Sequence, residues 1–539
     1  MQLSPSAHAD TFCRDNLPPQ EQWPDLDFSL AGLTYPDRLN AAEELLDATI
    51  ARYGPERRCL VSPEESWTYG ELLARASQIA RVLTEDLGLV PGNRVLLRGP
   101  NNPWLAACWF GVLKAGGVAV ATMPMLRTAE LTTICEIAQV SLALCDHRFT
   151  TELAAVPGVR IVGVGDADGA ADLLAMAAAK PTEFESVRTA ADDVAMIAFT
   201  SGTTGRPKAT MHFHRDLLAV ADTFSAHVLQ PVPDDLFTGT PPLAFTFGLG
   251  ALILFPMRVG AATLLLEKAT PAELADHIAS FGVTIVSTAP TAYRAMLAVG
   301  KADQLRGLRR PVSAGEHLPG STWQAFYDAT GVQIIDGIGS TELLHIFIGS
   351  ADDDIRPGST GKEVPGYTAA ILDAEGKPVR DGEPGRLAVK GPTGCRYLSD
   401  PRQRSYVQDG WNITGDTYIR DSDGYFWYQA RSDDMIISGG YNIAGPEIEE
   451  VLLGHPDVAE CGVVGIPDEA RGQIVKAFVV LRTSAVADDA KVRELQDLVK
   501  ESIAPYKYPR SVEFVGTLPR TNTGKLQRFR LREQESRTT

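Results

Sequence analysis

Helical and extended patterns alternate regularly between Trp67 and Cys145, and this alternation constrains the fold more than any other feature of the sequence. A capping-box pattern from Thr68 to Glu71 opens the first apolar helical face. The predicted elements that follow are a strand, helix, strand, helix and strand at Arg94–Arg98, Pro103–Ala115, Val118–Ala121, Ala129–Gln139 and Leu142–Cys145. Strands separated by helices favour a parallel sheet, so this part of the chain is predicted to be an α/β domain.

The texture of the sequence changes twice towards its end. The helix-and-strand rhythm returns between Leu274 and Val299, but short strands separated by Asp-, Gly- and Pro-bearing turns follow residue 365. The last hundred or so residues indicate a compact unit of helices and strands. The predicted fold class is therefore α/β, with a large N-terminal domain (1–432) of αβ-layered subdomains plus a β-rich subdomain, and a small α+β C-terminal domain (433–539).

Composition excludes several classes of protein. The 539 residues carry a formal net charge of −18, which argues against a broad nucleic-acid surface. The seven cysteines are scattered and form no CxxC pair, as expected for a reducing cytoplasm. The longest apolar stretch, Leu243–Leu266, is interrupted by Pro256, Arg258 and Gly260, so no membrane span is expected.

The string Phe199-Thr-Ser-Gly-Thr-Thr-Gly-Arg-Pro-Lys208 follows an apolar strand and predicts a phosphate-binding loop. Glycines let the backbone approach an anion, and hydroxyls and N–H groups donate hydrogen bonds to phosphate oxygens. Pro207 and Ala209 flank Lys208 where a Walker loop has glycine and Ser/Thr, so the loop is not of the Walker type. The alternative is a Gly/Ser/Thr-rich surface turn.

Four further motifs follow in order, and together the five resemble those of the adenylate-forming superfamily of acyl- and aryl-CoA synthetases. The later motifs are Gly339-Ser-Thr-Glu342, Thr414-Gly-Asp416, Arg431–Gly440 and Pro519-Arg-Thr-Asn-Thr-Gly-Lys525. The resemblance extends from about residue 60 to 530. It implies an enzyme that uses ATP and Mg²⁺ to convert a carboxylic acid into its acyl-adenylate, and CoA as the thiol acceptor.

The resemblance also implies a role for each motif residue. Glu342 suits a magnesium ligand beside phosphates, and Asp416 suits two vicinal ribose hydroxyls. Lys525 is placed to offset charge that develops on the α-phosphate. The implied catalytic residues are Lys525, Thr341, Glu342 and the hinge Asp433, about which the C-terminal domain would rotate. The implied ATP and CoA residues are Thr200, Ser201, Gly202, Thr203, Thr204, Gly205, Lys208, Gly315, Glu316, Asp336, Asp416, Arg431, Gly439 and Gly440.

The acyl pocket is predicted from three segments that resemble the benzoate- and 2-aminobenzoate-CoA ligase branch. The predicted substrate residues are Phe245, Thr246, Phe247, Ala314, Gly339, His345 and Ile346. A slot with aromatic and aliphatic walls suits a flat aromatic acid. Thr246 is a polar group in that wall, so an ortho-substituted benzoate, above all 2-aminobenzoate, is favoured. Ile338 stands where most of the superfamily has an aromatic residue against adenine.

Several readings stay open at the level of sequence. Salicylate and benzoate are alternative acids, and His345 is either a pocket residue or a histidine of the core. A stand-alone adenylation enzyme that loads a carrier protein shares every ATP motif, and a catalytically dead sensor protein is a more distant alternative. The expected partners are an aromatic acid, ATP and CoA, with no nucleic acid and no membrane, and a homodimer is left open.

Overall fold

The computed structural model describes residues 3–165, 172–200, 207–431, 434–438, 441–468, 471–483, 485–521 and 525–536. Within these ranges the chain folds into several sheets covered by helices, and the expected α/β class is confirmed. The predicted strand Arg94–Arg98 has its predicted bounds, and the neighbouring helices and strands agree within one or two residues.

The first large sheet has six strands, and its last connection carries the predicted phosphate loop. The strands lie in the order Arg160–Val164, Leu142–Asp146, Arg94–Arg98, Val118–Thr122, Val194–Thr200 and Lys208–Phe213. All neighbours are parallel except the last pair. In that antiparallel pair Thr200 is in register with Lys208, so the two ends of the loop are held side by side.

The second sheet has eight strands, and the motif Gly339–Glu342, called the acidic motif below, begins at the end of its strand Ile335–Gly339. Its order is Ile346–Gly349, Ile335–Gly339, Arg310–Ser313, Ile285–Thr288, Leu236–Gly239, Ala262–Leu264, Arg58–Val61 and Ser66–Thr68. The interior pairs are parallel and the two outermost pairs are antiparallel. The connection between the first two strands spans residues 340–345, which places Glu342 and His345 at one edge of the sheet.

A third, antiparallel sheet confirms the β-rich region predicted after residue 365. Thr368–Leu372, Pro384–Lys390, Trp411–Arg420 and Val407–Gln408 follow one another, and Phe426–Arg431 pairs with Trp411–Arg420. The register sets Asp416 opposite Arg431, which brings two of the predicted nucleotide-site residues together.

The C-terminal region contains a hairpin and a small sheet. The hairpin strands Ile436–Ser438 and Tyr441–Ile443 pair antiparallel, and the sheet comprises Val458–Asp468, Gly472–Leu481 and Ser511–Phe514. Three helices accompany them, at Gly445–Leu453, Asp489–Ser502 and Arg528–Ser536. Apolar residues of these elements form a core cluster of their own.

Helices cover the faces of the larger sheets, and their sequences specify their ends. The predicted capping box of Tyr69–Arg81 is present, with Thr68 and Glu71 exchanging hydrogen bonds. The other α-helices before residue 410 are Phe12–Asp15, Ala48–Tyr53, Pro103–Lys114, Thr128–Ala138, Thr150–Ala154, Leu173–Ala178, His214–Val220, Thr246–Leu249, Phe255–Arg258, Pro271–Phe281, Pro290–Ala298, Ala302–Leu305, Gly320–Thr330 and Gln403–Tyr406. π-Helical turns lie at Glu43–Asp47, Val82–Asp86, Ala221–Leu229 and Gly250–Leu254.

In the part of the chain that the structure describes, no helix combines the length and apolarity that crossing a bilayer requires. All seven cysteines are buried as free thiols.

Candidate active site

Glu342 lies at the meeting point of the two large sheets. Its side chain is largely buried, and its Oε1 accepts a hydrogen bond from the Tyr397 hydroxyl and lies 3.5 Å from Lys208 Nζ. Burial, and secondarily the Glu342 carboxylate, raises the pKa of Tyr397, so the phenol stays protonated as a donor. The carboxylate is therefore held in one orientation by a neutral donor and a cation.

Lys208 is positioned by its strand and by two aromatic rings. It begins strand Lys208–Phe213, opposite Thr200. Its ammonium lies 5.0 Å from the Tyr397 ring centroid and 5.6 Å from that of Tyr406, within cation–π range. The predicted phosphate-loop residues between these two strands, Ser201, Gly202, Thr203, Thr204 and Gly205, lie outside the described residues.

His212 contacts the backbone of the motif that carries Glu342. Its Nε2 lies 2.8 Å from the Thr341 carbonyl oxygen, next to Glu342. Burial, reinforced by the buried Arg396 guanidinium, lowers the pKa of His212 to about 3, so the imidazole is neutral and Nε2–H donates this bond. Sequence reasoning did not identify His212, Tyr397 or Tyr406, because each makes its contact with a residue 55 to 129 positions away in the chain.

The chemistry of Glu342 fits one ligand of a magnesium ion. Mg²⁺ prefers oxygen donors, and in nucleotide sites one or two carboxylates commonly bind it together with phosphate oxygens and water. No group of three metal-ligating side chains occurs within the residues the structure describes. A magnesium ion at this place would have Glu342 as one ligand, close to Lys208.

A second group of predicted residues lies near Glu342 and comprises Asp416, Arg431 and Lys525. The space between this group and the Glu342–Lys208 pair is called the cleft below. Asp416 is largely buried, and its Oδ1 lies 3.1 Å from Arg431 Nη1. Burial raises the pKa of the Asp416 carboxyl, against the effect of Arg431. Lys525 Cε lies 3.8 Å from where a Cβ on Gly315 would stand, so the lysine enters this cleft.

Lys525 is exposed to solvent, yet charged groups of several other segments act on its ammonium. Desolvation lowers the pKa of its ammonium, and the carboxylates of Asp416, Glu316 and Glu342 act against that effect. Burial likewise raises the pKa of Glu316, opposed by Arg520. The structure therefore brings predicted residues of the second, third and fourth motifs within electrostatic range of Lys525, the lysine of the fifth motif.

Asp336 is a predicted site residue on strand Ile335–Gly339, which leads into the motif with Glu342. Burial holds the pKa of its carboxyl well above the ordinary value, and the Gly337 N–H opposes this. Within the described residues its Oδ1 has no hydrogen-bond partner. Such a group can meet a polar ligand without first breaking a bond in the protein. Ile338, two residues on, is half-buried and packs against the main apolar core.

The predicted acyl wall forms around the tight hairpin after Gly339. A Cβ at Gly339 would lie 2.6 Å from the His345 carbonyl oxygen, so this close approach requires glycine. Ile346 packs against Gly337, and Ala314 is bonded through its N–H to the neighbouring strand at Thr288. These contacts fix the backbone of the predicted wall residues at the ends of neighbouring strands.

The second half of that wall comes from the segment around Thr246. Thr246 is buried at the start of helix Thr246–Leu249, and Phe245 and Phe247 are half-buried. Phe247 lies 5.6 Å from the His345 ring, centroid to centroid. These segments are thus mainly apolar, and Thr246 is a buried hydroxyl-bearing residue among them.

His345 is packed into the core rather than displayed at the surface. It is 3% exposed, its ring contacts Phe224, Phe247 and Phe255, and its Nε2 lies 3.3 Å from the Phe247 carbonyl oxygen. Burial lowers the pKa of the imidazole to about 3. Its predicted hydrogen bond to a substrate stays a prediction, and its observed contact stabilises the acyl wall.

Three other predicted residues fall outside the described part of the chain, namely Asp433, Gly439 and Gly440. The strands that flank the two glycines pair as a hairpin.

Comparison with known proteins agrees with this geometry. Residues 46–397 match the model of the AMP-binding enzyme family, and residues 447–525 match that of the AMP-binding enzyme C-terminal domain. The chain belongs to the AMP-binding enzyme family. The predicted resemblance to the adenylate-forming superfamily is therefore confirmed, and enzymes of this family that ligate CoA use ATP, Mg²⁺ and CoA.

Individual relatives cover nearly the whole chain. A benzoate–CoA ligase of Thauera aromatica is 35% identical over 92% of this chain and 96% of its own length. A crystal structure of an anthranilate CoA ligase in complex with anthranoyl-AMP superposes with a TM-score of 0.88 at 34% identity, covering 94% of this chain and 98% of that one. A benzoate CoA ligase from Burkholderia xenovorans LB400 gives a TM-score of 0.84 at 31% identity, covering 92% and 100%.

Proposed function

We propose that this protein is an ATP-dependent aryl-CoA ligase. An oxygen of an aromatic carboxylate attacks the α-phosphorus of ATP. The bond between the α-phosphorus and the oxygen that bridges it to the β-phosphate breaks, so that pyrophosphate leaves and the acyl-adenylate forms. The sulfur of CoA then attacks the acyl carbonyl carbon, and AMP leaves as the thioester forms. Glu342, Lys208 and Thr341 serve the phosphate end of the cleft in this proposal.

One observation carries the proposal: Lys525 stands in a single cleft with carboxylates from two motifs. Asp416 and Glu342 both act on the pKa of its ammonium. A cation placed between a sugar-binding carboxylate and a phosphate-side carboxylate suits the α-phosphate, where negative charge develops during attack. Arg431, bonded to Asp416, completes the sugar side.

We favour 2-aminobenzoate as the acid. Thr246 places a buried hydroxyl in an otherwise apolar wall, and a site that pairs a substrate N–H or O–H discriminates against analogues that lack it. The similarity to the structure with bound anthranoyl-AMP supports this choice.

Benzoate is the second candidate, and two observations favour it. The Thauera aromatica relative is a benzoate–CoA ligase, and the packing of His345 into the core leaves the wall mainly apolar. Salicylate would use Thr246 in the same way as 2-aminobenzoate. A carrier protein in place of CoA shares the same first step.

The division at residues 432 and 433 and the hinge role of Asp433 belong to the same proposal. The separate apolar core of the C-terminal region supports independent movement of that region. Such movement would remove Lys525 from the cleft before the thiol enters.

Pyrophosphate release across a panel of benzoates, with and without CoA, tests the function. We expect 2-aminobenzoate, salicylate and benzoate to release pyrophosphate, and aryl-CoA to form only when CoA is present. A medium- or long-chain fatty acid that surpasses every aromatic acid would contradict the aryl assignment. Transfer to a carrier protein but not to CoA would contradict the ligase assignment while leaving the adenylation step intact.

A further inference from the structure

Three side chains of the C-terminal region contact one short stretch of the N-terminal region, residues 315–320. Glu450 Oε1 accepts a hydrogen bond from the Gly320 backbone N–H at 2.9 Å. Arg520 Nη1 lies 3.3 Å from Glu316 Oε1. Lys525 lies against Gly315 in the same stretch. The position of Lys525 is therefore tied to how firmly the C-terminal region holds this stretch.

The contact at Gly320 supplies a hydrogen-bond acceptor to the N-terminus of a helix. Helix Gly320–Thr330 has Pro319 at its N-cap, and no side chain of the cap residue accepts a hydrogen bond. The first N–H groups of a helix have no partner within the helix, and the helix dipole makes this end positive. Glu450 supplies both an acceptor and a negative charge from another part of the molecule.

The close approach also needs the glycine. A Cβ on Gly320 would stand 2.9 Å from Glu450 Oε1 and 3.4 Å from the Gly358 nitrogen. A larger residue would push the carboxylate away from the helix end. The Glu450 carboxylate can therefore reach the helix N-terminus because position 320 is a glycine.

Glu450 differs from the two other carboxylates on its own helix, Gly445–Leu453. Glu447 pairs with Lys507 at 2.6 Å, and Glu449 pairs with Arg528 at 2.7 Å, both within the C-terminal region. Glu450 instead reaches across to a helix 130 positions earlier in the chain. The helix thus offers an internal control for the loss of one negative charge.

We propose that Glu450 is a positioning residue for acyl-adenylate formation: by capping helix Gly320–Thr330 it holds Lys525 in the cleft. This inference rests on the function proposed above. The second half-reaction requires the thiol, not Lys525, at the adenylate. Loss of the cap should accordingly slow the first half-reaction and spare the second.

The kinetic test separates the two half-reactions in Glu450→Ala. We measure adenylate formation as pyrophosphate release in a single turnover. We expect its rate to fall about 5- to 30-fold, which is the effect of losing a charged helix cap. Thioester formation from synthetic aryl-adenylate and CoA should stay within about twofold of the wild-type rate. Glu450→Gln keeps a neutral acceptor and should recover part of the lost rate, while Glu447→Gln should leave adenylate formation unchanged.

A second measurement does not depend on turnover. Hydrogen exchange of the peptide that contains Gly320 should accelerate in Glu450→Ala and not in Glu447→Gln. Equal losses in both half-reactions, or unchanged exchange at Gly320, would overturn the proposal. A wild-type protein that activates no aromatic acid would overturn the proposed function instead, and the exchange result would still decide whether Glu450 caps this helix.

Discussion

The phosphate end and the acyl end of the cleft are built on opposite principles. At the phosphate end, charged groups hold one another in place: Glu342 is fixed by Tyr397 and lies 3.5 Å from Lys208. At the acyl end, a neutral imidazole packs among aromatic rings, and shape rather than charge defines the surface. A change at the charged end therefore alters a set of coupled groups, whereas the packed wall can be altered one side chain at a time.

The largest expected effect is at the charged end. Lys525→Ala should slow adenylate formation about 100- to 1,000-fold, because a cation that opposes charge developing on the phosphate is lost. Rapid-quench measurement of aryl-AMP would report this rate. Lys500→Ala, on the surface helix Asp489–Ser502, is the matched control and should retain wild-type rates. Equal rates for Lys525→Ala and wild type would remove the lysine from the mechanism.

Glu342→Gln should give the next largest loss, about 100-fold in adenylate formation. The amide keeps the shape of the side chain but is a poor magnesium ligand. Titrating Mg²⁺ at fixed ATP should show a weakened metal dependence in the variant. Tyr397→Phe, which removes only the hydrogen bond to the carboxylate, should cost about 5- to 10-fold. A larger loss for Tyr397→Phe than for Glu342→Gln would reverse the assigned roles.

At the acyl end, Thr246→Val should change selectivity more than rate. The ratio of kcat/KM for 2-aminobenzoate to that for benzoate should fall about 10-fold, because the hydroxyl that pairs an ortho substituent is lost. Competition between the two acids for limiting enzyme measures the ratio directly. An unchanged ratio would leave benzoate as the better supported substrate.

Acid should destabilise the fold through histidines at both ends. His212 and His345 have pKa values lowered to about 3 by burial, against an ordinary value of about 6.5. The unfolded chain therefore binds these protons below pH 6.5 and the folded chain does not, so stability falls as pH drops from 6.5 towards 3. Each site contributes up to about 1.4 kcal/mol per pH unit.

Melting temperatures between pH 7.5 and 5 test this dependence. In His345→Leu the melting temperature should fall less steeply with falling pH, because one of the two histidines no longer contributes. This holds even if the variant is less stable at pH 7.5. A decline as steep as that of the wild type would show that His345 is protonated in the folded protein.

The two ends also differ in how much the sequence revealed. The strands that we predicted in the first sheet agree with the structure because each is marked by a local apolar run. Strand Arg94–Arg98 is an example. The motif residues Glu342, Asp416 and Lys525 were identified from their order along the chain, and the structure brings them together. Tyr397 was missed because nothing in its local sequence indicates the carboxylate 55 positions away that it contacts.

The acyl end resisted prediction for a related reason. The residues of the wall were proposed from resemblance, but their geometry depends on packing between distant segments. His345 illustrates this, since its ring is enclosed by Phe224 and Phe255 from two other elements. A sequence pattern gives a histidine's position but not the tertiary contacts that bury it.

One measurement tests the central claim most directly. The protein is mixed with ATP, Mg²⁺ and one equivalent of 2-aminobenzoate without CoA, quenched, and its bound products are identified by mass. The account predicts that aryl-AMP and pyrophosphate accumulate and that adding CoA converts the adenylate into aryl-CoA and AMP. Formation of ADP and phosphate in place of AMP and pyrophosphate would contradict it.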